Sequence, residues 1–88
     1  MMLAADVLTG EVRRFLVGPA GCEVTGVTET PDGRTMFVNI QHPGETPSEL
    51  NNPANPRAIS NWPEQKPTGR PRSATVVIRK QDGGIIGT

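Results

Sequence analysis

Four side chains that could do chemistry lie at the ends of two neighbouring β-rich runs. Glu23 and Thr25 begin the first run, and Gln41 and His42 end the second. Carboxylate, hydroxyl and amide oxygens bind a hard cation such as calcium, and an imidazole can act as a base or a ligand. We therefore take Glu23 as a candidate calcium ligand or pocket residue, with Thr25, Gln41 and His42 as a candidate pocket rim.

Each candidate also has an ordinary structural explanation. Glu23 could be a partly solvated acid at a strand end, and we weigh this equally with a functional role. A lone His42 before a proline is more often a hydrogen bonder, and Cys22 is more often a small buried hydrophobe than a nucleophile. Arg70 and Arg72 could hold a phosphate bidentately, although the prolines beside them fit an extended, solvated segment.

The elements that must position these residues are two strands around a Pro31-Asp-Gly33 turn. Cys22 to Thr30 is dense in Thr and Val, and Thr35 to Gln41 alternates strongly enough that we expect a strand buried on both faces. If Thr30 pairs with Thr35 across the turn, antiparallel counting places Glu23 opposite His42, within a residue or two. The spacing therefore brings the candidate residues to one rim.

Other segments complete a β-rich pattern. Leu3 to Val7 and Glu11 to Val17 predict a hairpin turning at Gly10, and Ala74 to Arg79 predicts a further strand before Ile85-Ile86. The residues expected to matter for turn geometry are Gly10, Pro31, Asp32, Gly33, Gly83 and Gly84. Between the strands, 42–73 is a long Pro-rich loop, and such loops are usually functional or disordered.

These segments predict an all-β fold in which antiparallel strands form about one and a half blades of a β-propeller. Residues 1–17 would be the last two strands of one blade, and residues 18–88 a four-stranded blade carrying the long loop 42–73. With fewer than two units present, the chain is expected to be a single incomplete domain whose neighbouring blades are missing.

Composition excludes several functional classes. The 88 residues hold nine basic and nine acidic side chains for a formal charge of zero, and the bases are scattered, which argues against nucleic-acid binding. One Cys and one His predict neither a disulfide framework nor a zinc site. The first residues lack a basic signal region and a membrane-spanning run, so we expect a cytoplasmic chain as written.

Four ordered motifs resemble the C-terminal end of the PhoX-type secreted alkaline phosphatases. They are Thr9-Gly-Glu-Val-Arg-Arg-Phe15, Gly21-Cys-Glu-Val-Thr-Gly26, Thr30-Pro-Asp-Gly-Arg-Thr-Met-Phe-Val-Asn-Ile-Gln-His-Pro-Gly-Glu45, and Arg70-Pro-Arg-Ser-Ala-Thr-Val-Val-Ile-Arg79 with Asp82-Gly-Gly84. The resemblance implies a bacterial β-propeller phosphomonoesterase that is periplasmic or secreted and depends on calcium and iron. The family's Pro-Trp-Gly-Thr-Trp and Cys-Glu-Glu segments have no counterpart here, so no iron ligand is carried over.

Two hypotheses follow. In the first, the chain is a C-terminal fragment of a PhoX-like phosphatase, inactive alone, whose partners are the missing N-terminal blades. In the second, it is an independent small β-domain that acts as a binding or oligomerisation module and self-associates through open strand edges. Neither hypothesis assigns a catalytic residue within these 88 positions.

Overall fold

The computed structural model describes residues 1–45, 57 and 59–88. The described strands are β1 (Met2–Ala5), β2 (Val12–Leu16), β3 (Glu23–Glu29), β4 (Met36–Gln41) and β5 (Ala74–Ile78). All neighbouring strands are antiparallel, with β1 and β2 forming one sheet and β3, β4 and β5 a second sheet in that order. The expected all-β, antiparallel fold is therefore confirmed. Part of the expected loop 42–73 lies outside the described residues.

The hairpin of β1 and β2 turns where the sequence predicted it. Gly10 has a φ of 76°, a conformation that favours glycine. The Asp6 carboxylate closes the turn by accepting hydrogen bonds from the backbone N–H groups of Leu8, at 2.8 Å, and Thr9, at 3.1 Å. These bonds, led by the one from Thr9, lower the pKa of Asp6. Asp6 is thus a turn residue that the sequence patterns did not reveal.

The turn between β3 and β4 is held by its own side chains. The Thr30 N–H donates to the Thr35 carbonyl at 2.9 Å, as the expected pairing requires. Asp32 accepts hydrogen bonds from the Thr30 hydroxyl, at 2.6 Å, and from the Arg34 N–H, at 3.1 Å. The Thr30 hydroxyl bond is the larger cause of a lowered Asp32 pKa. Gly33 completes the turn with a φ of 70°.

A β-bulge shifts the register of β3 against β4 by one residue. Thr28 pairs with Phe37, but beyond the irregularity Thr25 pairs with Asn39 and Glu23 with Gln41. The expected pairing, Glu23 opposite His42 within a residue or two, is therefore confirmed, because the partner of Glu23 is Gln41, one position away. Gly26 lies within the bulge at a φ of 58°, where an added Cβ would sit 2.5 Å from the Asn39 side-chain nitrogen. An extra residue in one strand commonly bends it and re-aims its side chains.

The apolar face of the second sheet carries its small core. Val38 is fully buried and Ile40 is 2% exposed, and they pair with Val76 and Ala74 of β5. On the opposite face Asn39 and Gln41 are exposed. The expectation that this strand is buried on both sides is therefore wrong, because its polar alternate residues lie on an open face.

The C-terminal residues pack against the β3–β4 turn. The Ile86 N–H donates to the Gly33 carbonyl at 2.9 Å, and the Arg34 guanidinium donates to the Gly83 carbonyl at 2.7 Å. In the described part of the chain, Ile85 and Ile86 form no strand, so the expected four-stranded blade shows three strands there. A turn after β5, closed by the hydrogen bond from the Gly83 N–H to the Lys80 carbonyl, returns the chain to the β3–β4 turn.

No helix with the length and apolar character needed to cross a bilayer occurs in the described ranges.

Substitution of Val38 tests where the stability of the second sheet resides. Val38→Ala removes two fully buried methyl groups, and we expect it to lower the free energy of unfolding by about 2 kcal/mol. Val77→Ala is the matched control, because Val77 lies on the neighbouring strand and is 54% exposed. Urea denaturation of both variants measures the difference. Equal losses for the two valines would contradict a core centred on Val38.

Candidate functional site

The turn at residues 42–45 docks against the loop that precedes β3. The Gly44 N–H donates to the Ala20 carbonyl at 2.8 Å, and the Glu45 N–H donates to the His42 carbonyl at 3.2 Å. Gly21, at a φ of 77°, makes the approach possible, because an added Cβ would collide with the Glu45 carbonyl and lie 2.8 Å from its nitrogen. The backbone therefore brings both ends of the β3–β4 hairpin into direct contact.

His42 lies at the centre of this contact. Its Nδ1 is 3.1 Å from the Gly21 carbonyl oxygen and 2.7 Å from Oε2 of Glu45. Its Nε2 is 3.7 Å from Oε2 of Glu23. Because both neighbours of Nδ1 are hydrogen-bond acceptors, this nitrogen carries a hydrogen. The ring thus lies between two carboxylates, and we call Glu23, His42 and Glu45 the carboxylate–histidine cluster.

The backbone of His42 is also fixed. Its φ is 40°, which is uncommon for a residue other than glycine although histidine is among the residues that tolerate it. Its N–H donates to the Ser73 hydroxyl oxygen at 3.1 Å, which joins the turn to the segment leading into β5. Three segments distant in sequence therefore converge on this residue.

The surroundings of His42 raise its pKa above the ordinary 6.5. Partial burial is the largest single influence and lowers the pKa, but the hydrogen bond to Gly21, a backbone hydrogen bond of His42 itself and the charges of Glu45 and Glu23 together outweigh it. The fold therefore favours the protonated ring. This stabilisation is fully present below the ordinary value and is lost as the pH rises through the raised pKa.

The cluster as arranged does not fit a metal ion. Nδ1 bears a hydrogen directed at oxygen acceptors, and the ring separates the Glu23 carboxylate from that of Glu45. Across the residues that the structure describes, no three His, Cys, Asp or Glu side chains are grouped as metal ligands. Here the positive charge beside Glu23 can come from the histidine itself.

A polar groove runs along the open face of the second sheet, beside the cluster. It has a volume of about 460 Å³ and is lined by Thr25, Asn39, Ile40, Gln41, Ser73, Ala74 and Thr75. The Thr75 hydroxyl donates to the Asn39 side-chain oxygen at 2.8 Å. The polar side chains among its described lining residues are neutral hydroxyls and amides, which can both donate and accept hydrogen bonds without carrying charge.

The structure brings some sequence-predicted residues together and separates others. Thr25 and Gln41 line the groove, and Glu23 shares their side of the sheet through its pairing with Gln41. His42 lies at the hairpin end and not in the groove lining. Asp32 lies in the β3–β4 turn, at the opposite end of the hairpin, as the sequence indicated.

Arg72 and Cys22, two further candidates, lie in environments that an ordinary structural role explains. The Arg72 guanidinium makes two hydrogen bonds to Oε1 of Glu64, the Nε bond being 2.8 Å long, so its charge is already paired. The thiol of Cys22 is free and half-buried beside Gly18. Neither arrangement resembles a reactive site.

Sequence reasoning missed three residues of this region. They are Glu45, which contacts the His42 ring, Asn39, which lines the groove, and Ser73, which accepts a hydrogen bond from the His42 N–H. The signal for Asn39 was its place on the same strand face as Gln41. Glu45 contacts His42 within one turn, three positions along the chain, whereas the contribution of Ser73 depends on a contact across 31 positions for which the local sequence carries no pattern.

Comparisons with known proteins identify relatives of this fold. The family model described as alkaline phosphatase PhoX matches residues 1–44. A solved structure, Pseudomonas fluorescens PhoX in complex with vanadate, a transition state analogue, is 50% identical, with a TM-score of 0.76 over 97% of this chain. The match covers 13% of that structure's chain. Among curated proteins there is no match.

Substitution of Gly21 tests whether the close approach builds the site. Gly21→Ala should expose the Gly44 amide, because the new Cβ would force the 42–45 turn away from the loop. Gly83→Ala is the matched control, since Gly83 has a similar φ of 74° but open space around its Cα. We expect at least tenfold faster hydrogen exchange at Gly44 in the first variant only. Unchanged exchange in Gly21→Ala would show that the contact is dispensable.

Proposed function

Because the chain belongs to the PhoX family of alkaline phosphatases, we propose that it supplies one wall of a phosphomonoester-hydrolysing pocket in a PhoX-type β-propeller. The observation that carries this proposal is the match over 97% of the chain to a PhoX structure holding a transition state analogue. The groove and the adjacent Glu23 are the parts of this chain that we assign to the wall.

The wall would orient the substrate by hydrogen bonds and would not neutralise the charge of its phosphate group. Neutral hydroxyls and amides line the groove, and they can position a polar substrate by hydrogen bonds. A phosphate ester carries negative charge, and none of the lining residues that the structure describes is cationic and able to neutralise it. Thr25 and Gln41 are therefore proposed as substrate-positioning residues, and the charge of the phosphate would be met by other parts of the pocket.

Metal chemistry is likewise proposed to come from elsewhere in the full-length protein. Membership of the PhoX family indicates a metal-dependent phosphatase, and the resemblance implies calcium and iron. Since the carboxylate–histidine cluster does not fit a metal ion, we propose that these metals are held outside the described residues. Glu23 is then a pocket residue and not a calcium ligand.

Further propeller blades are the proposed partners of this chain. Among the described strands, β3 and β5 each have one neighbour, which leaves their outer edges open to pairing. Several apolar side chains are also exposed, and Val7 and Leu8 at the hairpin tip are more than 90% exposed. Covering these surfaces with more of a propeller is favoured over self-association because the family match already indicates that architecture.

The proposed location follows that of the family. PhoX proteins are secreted or periplasmic, and we propose the same compartment for a full-length protein that contains this segment. The cytoplasmic expectation applied only to the 88 residues as written.

A segment exchange tests the proposed wall. We would replace the matching segment of Pseudomonas fluorescens PhoX with this chain, and expect the chimera to hydrolyse an aryl phosphate. Thr25→Val together with Gln41→Leu should lower kcat/KM about tenfold, because each loses a hydrogen-bonding group. Thr28→Val is the matched control, since Thr28 lies on β3 beyond the bulge and outside the groove. If the chimera folds and the double substitution leaves its kcat/KM unchanged, the proposal is refuted.

The isolated chain should not hydrolyse phosphate esters. We expect no release of nitrophenol from an aryl phosphate above the buffer rate, with calcium and iron supplied, because one wall lacks a complete catalytic set. The full-length Pseudomonas fluorescens enzyme under the same conditions is the positive control. Calcium-dependent turnover by the purified 88-residue chain would contradict this prediction.

A further inference from the structure

The two carboxylates of the carboxylate–histidine cluster come from opposite ends of the β3–β4 hairpin. Glu23 is the first residue of β3, whereas Glu45 follows β4 by four positions. One imidazole contacts both, through Nε2 at 3.7 Å and Nδ1 at 2.7 Å. A doubly protonated ring can serve both acids at once, and a neutral ring has only one N–H to offer.

Among the residues that the structure describes, the charged groups that face the ring are Glu23 from β3 and Glu45 from its own turn. The loop before β3 contributes the Gly21 carbonyl, and the segment leading into β5 contributes the Ser73 hydroxyl, which meets the backbone of His42. Both of these groups are neutral, and the nearby Cys22 is a free thiol. The local charge therefore depends on whether His42 holds its second proton.

We propose that His42 is a proton-dependent latch, which in its charged form ties the 42–45 turn to Gly21 and holds the Glu23 carboxylate, and which releases that carboxylate when the ring becomes neutral. The Nδ1 hydrogen bonds to Gly21 and Glu45 can survive in the neutral ring, because the remaining hydrogen can stay on Nδ1. The contact to Glu23 cannot, because a neutral Nε2 would present a lone pair to a carboxylate. Loss of the proton thus acts first on Glu23.

Release of Glu23 has a consequence for the pocket, and this step rests on the proposed function. With His42 charged, one of the two negative charges is compensated. In alkaline solution the rim beside the groove gains a full negative charge without moving the backbone of β3. A PhoX-type pocket would then present a free Glu23 carboxylate at alkaline pH and a paired one in acid.

The single histidine of the chain makes a direct test possible. We would follow the imidazole carbon and proton signals of the whole 88-residue chain by NMR from pH 5 to pH 9, together with the side-chain carboxyl carbons of the glutamates. We expect the His42 midpoint above its value in 6 M urea, and an inflection of the Glu23 carboxyl signal at the same midpoint. Glu23→Gln and Glu45→Gln should each lower the midpoint.

Two controls sharpen the result. Glu29→Gln changes an acid at the far end of β3 and should leave the midpoint unchanged. His42→Asn keeps a residue that tolerates a positive φ but has no titrating ring, and should abolish the Glu23 inflection.

A midpoint equal to that in urea, or one insensitive to both glutamate substitutions, would overturn the latch. None of these measurements depends on phosphatase activity, so a failed latch and a failed assignment of the pocket wall remain distinguishable.

Discussion

The close approach of Gly21 to Glu45 is the contact on which the candidate site depends. The chain leaves β4 at Gln41 and turns at once, as the hydrogen bond from the Glu45 N–H to the His42 carbonyl shows. Docking the 42–45 turn on the loop before β3 satisfies the Gly44 N–H and places the His42 ring between two acids. A side chain at position 21 would prevent this, since the space is filled by the Glu45 backbone.

The bulge at Gly26 decides which side chains of β3 lie on each face of the second sheet. It allows Val24 to pair with Ile40 on the core face, while Thr25 and Glu23 join Asn39 and Gln41 on the other. Without the shift, side chains beyond Gly26 would change faces, because the period of a strand is two residues. The bulge therefore places Thr25 in the polar groove and Val24 on the core face.

The sequence was sufficient to predict the elements and the approximate meeting of Glu23 with His42. Alternation and turn residues act over a few positions, so the hairpin, the Pro31-Asp-Gly33 turn and the β5 strand could be found locally. The bulge at Gly26 moves the partner of Glu23 from His42 to Gln41, and at Gly26 the Asn39 side-chain nitrogen lies 2.5 Å from where a Cβ would sit. The contacts of Ile86 with Gly33 and of Ser73 with His42 are long-range, and no local pattern encodes them.

Two parts of this site differ in their physical roles: the groove offers hydrogen bonds, and the carboxylate–histidine cluster changes charge. The groove is lined by hydroxyls and amides, whose hydrogen-bonding capacity does not change across the range in which histidine titrates. The carboxylate–histidine cluster lies at its end and changes charge in that range. Because Glu23 pairs with Gln41, the groove and the cluster lie on the same pair of strands. A change of charge at the cluster therefore changes the electrostatic potential in the groove, while the side chains that line the groove stay the same. A wall built in this way can alter the potential felt by an anionic ligand without altering the hydrogen bonds that orient it.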